Sequence, residues 1–175
     1  LYERNQFELL TTSGLLVELG GIGWIARNYV LTETQRAGLI GAIHGSKVIV
    51  SHVGAYWIYT GKTSIELTRS IHLMSHPDMA TTKYPRQIYP VTDLVMLGST
   101  TLTTKERTAI DLLRSDLATG VEALLNLLRH GASFDQIVER ANRLRYHPRM
   151  RGVRDLLYQL PDAVIAQASS HYVAE

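Results

Sequence analysis

Six arginines and one histidine fall between Arg140 and Arg154, in RANRLRYHPRMRGVR, with no carboxylate among them. Guanidinium groups are planar donors matched to phosphate and carboxylate oxygens, so the stretch suits a nucleic acid or an acidic protein surface. It equally suits the solvated side of a helix. Cations near a helix C-terminus complement its dipole by about 0.3–1 kcal/mol, which fits Arg140, Arg143 and Arg145. Arg149, Arg151 and Arg154 lie beyond Pro148, at the expected start of the next helix, where a cation is unfavourable. Both readings stay open. Either way, Arg143, Arg149, Arg151 and Arg154 are expected to be exposed and to form one positive surface around the Pro148 turn. On a helical wheel Arg140 and Arg143 fall outward, and Ile137, Val138, Ala141 and Leu144 claim the buried face.

Other residue pairs point to less. His72 and His76 have the spacing of a zinc pair on a helix, but they fall in an alternating stretch where i and i+4 stand about 13 Å apart on a strand. No metal site is expected there. Ser51 and His52 are adjacent, with no acidic third member placed near them by sequence. A nuclease needs grouped carboxylates to hold a metal ion, whereas Glu66, Asp78, Asp93 and Asp111 are scattered singly. The glycines at 20, 21 and 23 lack the Lys-Ser/Thr of a phosphate loop and read as a turn or wing. Arg107 and Asp111 have the i, i+4 spacing of a helical ion pair, and their expected role is structural: holding strand to helix. No catalytic residue, metal or cofactor is expected.

These residues must be positioned by a chain of 175 residues, enough for one domain with or without a small appendage. Such a chain buries roughly 70% of its unfolded surface, so it needs no covalent staple. With no cysteine, disulfides and Cys-based zinc sites are excluded. The formal charge of +2 permits an anionic partner without demanding one. Only Lys47, Lys62, Lys83 and Lys105 are lysines among the 18 basic residues; this arginine bias fits phosphate recognition and also fits a GC-rich genome. No apolar run approaches the ~20 residues of a membrane span, and LYERNQFELL lacks a signal-peptide core. A cytoplasmic protein without a membrane partner is expected.

The elements follow from local patterns. YERNQFELL reads as a short helix, with a turn near Ser13-Gly14 and a strand in IGWIARNYVL. Thr32 with Gln35 forms a capping box for a helix ended by Gly45. Lys47 to Val50 look like strand, and Ser51 to Tyr59 suit either a strand or a short helix. SIELTRSIHLM alternates with period two, QIY is a further short strand, and Leu94 to Leu97 another. Three more boxes, Thr103/Glu106, Thr119/Glu122 and Ser133/Gln136, each precede an apolar stripe and predict three helices, the middle one stopped by Gly131. A fourth helix over Val153 to Leu160 follows, then a fifth over 163–168 with Pro161 at its first position. The expected fold is α+β: a small mixed or antiparallel sheet with a helical C-terminal half packed on it.

VTDLVMLGSTTLTTKERTAIDLLR resembles the signature of AbiEi-type antitoxins, transcriptional regulators of type IV toxin–antitoxin systems common in actinobacteria. The resemblance is carried by Asp93-Leu94, Gly98, Leu102-Thr103, Arg107-Thr108-Ala109 and Asp111-Leu112-Leu113. Upstream, Ser51, His52, Ala55 and Gly61 match a family helix, which favours helix for 51–59. Downstream, LRHGASFDQI and RMRGVRDLL are similar to its tail helices, so the likeness spans residues 36–160. It implies a winged helix-turn-helix for operator DNA, and a C-terminal domain that neutralises a nucleotidyltransferase-type toxin. Residues 1–31 are then an incomplete winged-helix segment and 32–175 the C-terminal domain. The resemblance implies a non-enzymatic regulator that binds DNA or a cognate toxin protein. A nuclease-related enzyme and a pure protein-interaction module are the alternatives.

Overall fold

The chain is described by a computed structural model, covering residues 2–18, 24–26, 31–45, 48–62, 72–75 and 89–170. Its fold is α+β. Helix α1 (Tyr2–Thr12) is followed by strands β1 (Leu16–Glu18) and β2 (Trp24–Ala26), which pair antiparallel. Phe7 of α1 stacks on Trp24 of β2, with ring centroids 4.9 Å apart. The turn at Ser13-Gly14 and the strand in IGWIARNYVL stand as the sequence predicts, while the glycines at 20, 21 and 23 lie outside the described residues.

Helix α2 (Glu33–His44) begins at Thr32. Its hydroxyl accepts from the Gln35 N–H while the Gln35 side chain accepts from the Thr32 N–H, the reciprocal box that the spacing predicts. Gly45, at φ +82°, ends it. Strand β3 (Val48–Ser51) then runs directly into helix α3 (His52–Thr60), so the ambiguous stretch is a helix. Arg36 is buried and crosses to the far end of α3. It donates to the carbonyls of Ile58, at 2.6 Å, and Tyr59, at 3.4 Å, and also to that of Leu31. One guanidinium thus satisfies carbonyls that α3 leaves open at its C-terminus.

Strand β4 (His72–Ser75), a 3-10 turn (Val91–Asp93), strand β5 (Leu94–Leu97) and strand β6 (Thr100–Thr103) complete a four-stranded mixed sheet of order β4-β3-β6-β5. The β3–β6 pair is parallel, and the β3–β4 and β5–β6 pairs are antiparallel. The first part of SIELTRSIHLM, the QIY strand, His76 and Lys83 lie outside the described residues.

Helices α4 (Lys105–Ser115), α5 (Leu117–Arg129), α6 (Phe134–Arg143), α7 (Met150–Gln159) and α8 (Asp162–Ser170) follow. All five expected helices are present, but four begin differently. The α4 cap is Thr104, accepting from Arg107 N–H, because Thr103 is buried in β6 and its hydroxyl bonds Thr108 at 2.8 Å. Helix α5 starts earlier, at Asp116, whose carboxylate accepts from the N–H groups of Ala118 and Thr119. Helix α7 starts at Met150, three residues before the expected Val153. Ser133 caps α6 as predicted and Gly131 closes α5 at φ +85°, whereas Pro161 stands at the cap position of α8, its carbonyl accepting from Ile165 N–H, instead of at the first helical position. One core joins sheet and helices through Ile40, Val50, Ile58, Leu102, Ile110, Leu124, Leu127, Ile137, Met150 and Val153.

Helices α4 and α5 approach so closely that only glycine fits at 120. A Cβ there would stand 2.6 Å from Leu113 Cα and 2.9 Å from Leu113 N, backbone atoms that move only with the helix. Gly120→Ala should therefore destabilise by about 1–3 kcal/mol, although alanine is otherwise the better helix former by ~1 kcal/mol. Urea unfolding checks this; an unchanged or raised midpoint contradicts the close approach.

Tyr56, Tyr59 and Tyr89 are buried, and burial is the main cause that raises all three phenols, Tyr89 up to about 12. A raised folded-state pKa means stability that is full below about pH 10, the unfolded value, and is lost as pH climbs towards 12. In an alkaline titration followed by tyrosinate absorbance, a late fraction should appear only as far-UV circular dichroism collapses. Complete ionisation near pH 10 in folded protein would contradict this.

Candidate functional site

The arginines divide into two sets. The inner set is built around Asp93, at the end of the 3-10 turn, and Asp111, on α4. Arg107 Nε meets both Asp111 carboxylate oxygens at 3.1 Å, and its Nη1 meets Asp93 at 2.7 Å. The side chains of Arg107, Asp111 and Asp93 are only 3%, 0% and 7% exposed, so these are desolvated pairs. Burial favours loss of the Arg107 proton, but the carboxylates of Asp111 and Asp93 more than reverse this and hold its pKa above the ordinary arginine value. The Tyr89 ring lies 4.6 Å from the same guanidinium. The Arg107–Asp111 pair lies within α4, at the helical spacing read from the sequence, and it is the second bond of Arg107, to Asp93, that ties α4 to the turn before β5.

Arg140 belongs to this inner set. Instead of facing outward it pairs with Asp93 and donates to the Thr92 carbonyl at 2.5 Å. The wheel that placed it outside describes α6 alone; the 91–93 turn covers that side. One carboxylate of Asp93 is therefore shared by two arginines from two helices.

The outer set flanks Pro148. Helix α6 ends at Arg143, and residues 144–149 form the turn before α7. Arg143, Arg145, Arg149 and Arg151 are exposed, as are Tyr146 and His147. Arg143 pairs with Glu139, and Arg151 lies 3.9 Å from Asp155; both pairs are solvated and worth little. Arg145 sits over the Tyr146 ring, 4.7 Å from its centroid, and that tyrosine is 86% exposed. Arg154 departs from expectation: it is half-buried, and its Nε is enclosed with no hydrogen-bond partner among the described residues. Its place on the α7 wheel, beside Val153 and Leu157, explains the burial.

Beside the turn lies a cleft of about 270 Å³, lined by His52, Asp111, Arg114, Ser115, Pro148 and Arg149. The Ser51 hydroxyl stands 2.9 Å from His52 Nδ1. Arg114 donates from Nε to the Pro148 carbonyl, and Arg149 donates from Nη1 to the carbonyls of Arg114 and Ser115, each at 3.3 Å. Arg114 has no signal in sequence beyond its i+3 spacing from Asp111, to which its Nη1 reaches at 3.5 Å. Among the described residues no group of three His, Asp or Glu could hold a metal ion, and no helix is long and apolar enough to cross a membrane.

No family model matches this chain, and no curated protein or solved structure does either.

Proposed function

We propose that the chain is a non-enzymatic, antitoxin-like transcriptional regulator of the cytoplasm, whose basic turn at residues 143–151 meets the DNA backbone and whose second partner is a cognate toxin protein. The observation that carries the DNA reading is the exposed group of Arg143, Arg145, Arg149 and Arg151 around an exposed, arginine-stacked Tyr146. Cations on a projecting turn suit phosphates, and an aromatic face beside them suits a sugar or an unstacked base. The order helix, then two-stranded hairpin, over residues 2–26 supports reading the N-terminal segment as part of a winged helix with the hairpin as its wing. A gel-shift assay tests this, comparing DNA upstream of the chain's own gene with an unrelated duplex of equal length. Retardation of the first at lower protein concentration is expected. Binding to neither overturns the reading.

A second reading, a module that meets only protein, is favoured by strand β5. It lies at one end of the described sheet order and exposes Met96, while Val91 just before it is 87% exposed. Co-purification with a neighbouring gene product, without any DNA shift, would select it.

A further inference from the structure

We propose that the cleft between the start of α3, the end of α4 and the Pro148 turn is a binding site for one phosphate group. The charges come first. Arg107, Arg114 and Arg140 engage two carboxylates, those of Asp93 and Asp111, and Arg149 is tied to this group through the carbonyls of Arg114 and Ser115. Asp93 is engaged by Arg107 and Arg140, and Asp111, fully buried, by Arg107 and Arg114. The connected group carries two more cations than anions, and the arginines that line the open cleft are Arg114 and Arg149. Arg149 uses only Nη1 on protein carbonyls, so its remaining N–H groups are without a protein partner among the described residues. A planar guanidinium held through one nitrogen at the lining of a cleft is suited to an oxyanion.

The backbone points to the same place. Among the described residues only two non-glycines have positive φ, His52 at +50° and Arg149 at +64°, and both line this cleft. Asparagine or glycine would adopt either conformation with less strain. Strain of this kind gathers at ligand clamps, where the side chain matters more than the ease of the turn. The volume also fits: 270 Å³ is several times the ~30 Å³ share of one water, enough for a phosphate with part of a sugar. The phosphate is either free or part of a nucleotide chain, and the two sources are separable.

Inorganic phosphate titrated into nitrogen-15-labelled protein should move the amide resonances of residues 51–54, 111–115, 147, 149 and 150, and few others. Arg149→Asn removes the guanidinium while keeping a residue that tolerates positive φ, and should weaken phosphate binding by about tenfold or more. Ser115→Glu leaves both arginines in place and puts a carboxylate at the rim, so it should weaken binding similarly even if Arg149→Asn proves unstable. A short labelled duplex forms the second arm. If Ser115→Glu lowers affinity for both phosphate and duplex, the cleft takes a DNA phosphate. If only phosphate binding falls, the ligand is free phosphate or a small nucleotide. Phosphate shifts without any duplex binding leave the cleft standing while the DNA reading fails. No localised shifts at millimolar phosphate, or shifts that persist unchanged in Ser115→Glu, overturn the proposal.

Discussion

Arg107→Ala should cost the domain about 3–5 kcal/mol, because it removes the shared partner of two buried carboxylates. Asp111 has no exposed surface and would keep only Arg114, at 3.5 Å; Asp93 would keep Arg140. Against a typical stability of about 5–15 kcal/mol, a loss of that size leaves a domain near its threshold. Arg107→Lys keeps the charge but not the fork that spans both acids, and should fall between wild type and alanine. Urea denaturation of the three proteins measures this. A loss below ~1 kcal/mol for the alanine variant would mean that the network is solvated and holds nothing together.

Charge reversal in the outer set should do the opposite: large on binding, small on folding. Arg145→Glu with Arg151→Glu should weaken DNA binding on the order of 10–100-fold at low salt, since both side chains lie on the exposed turn. Stability should change by less than about 1 kcal/mol. Arg151 is the second residue of α7, where a carboxylate suits the helix dipole better than a guanidinium, and this offsets the new repulsion from Asp155. Thermal unfolding and fluorescence anisotropy on the same samples check both halves. A variant that unfolds would make the turn scaffolding; one that binds as well as wild type would remove the turn from the interface.

The sequence carries the fold further than it carries the site. Each hydroxyl followed by a Glu or Gln signalled a real helix, because unsatisfied N–H groups at a helix start are a local demand that local residues answer. The exact caps moved where another demand intervened. Thr103 is held in the sheet by Thr108, so Thr104 takes its place, and Asp116 captures α5 before Thr119 can. The pair Arg107–Asp111 was legible because it lies within one helix. Its third and fourth members were not: Asp93 is 14 residues away from Arg107, and Arg140 is 47 from Asp93. A helical wheel also cannot know that a 3-10 turn covers its outer side, which is why Arg140 went from the surface set to the buried one. Arg36, which completes the end of α3 from 22 residues away, gave no local signal at all.

The proposed division of arginines into an inner set that holds the fold and an outer set for a polyanion is tested most directly by the salt dependence of DNA affinity. Four exposed arginines, each neutralising one phosphate, give log K against log salt a slope of about −3.5, and Arg145→Glu with Arg151→Glu should bring it to about −2 or shallower. A slope near zero in wild type, or the same slope in both proteins, would contradict the assignment of the 143–151 turn to DNA.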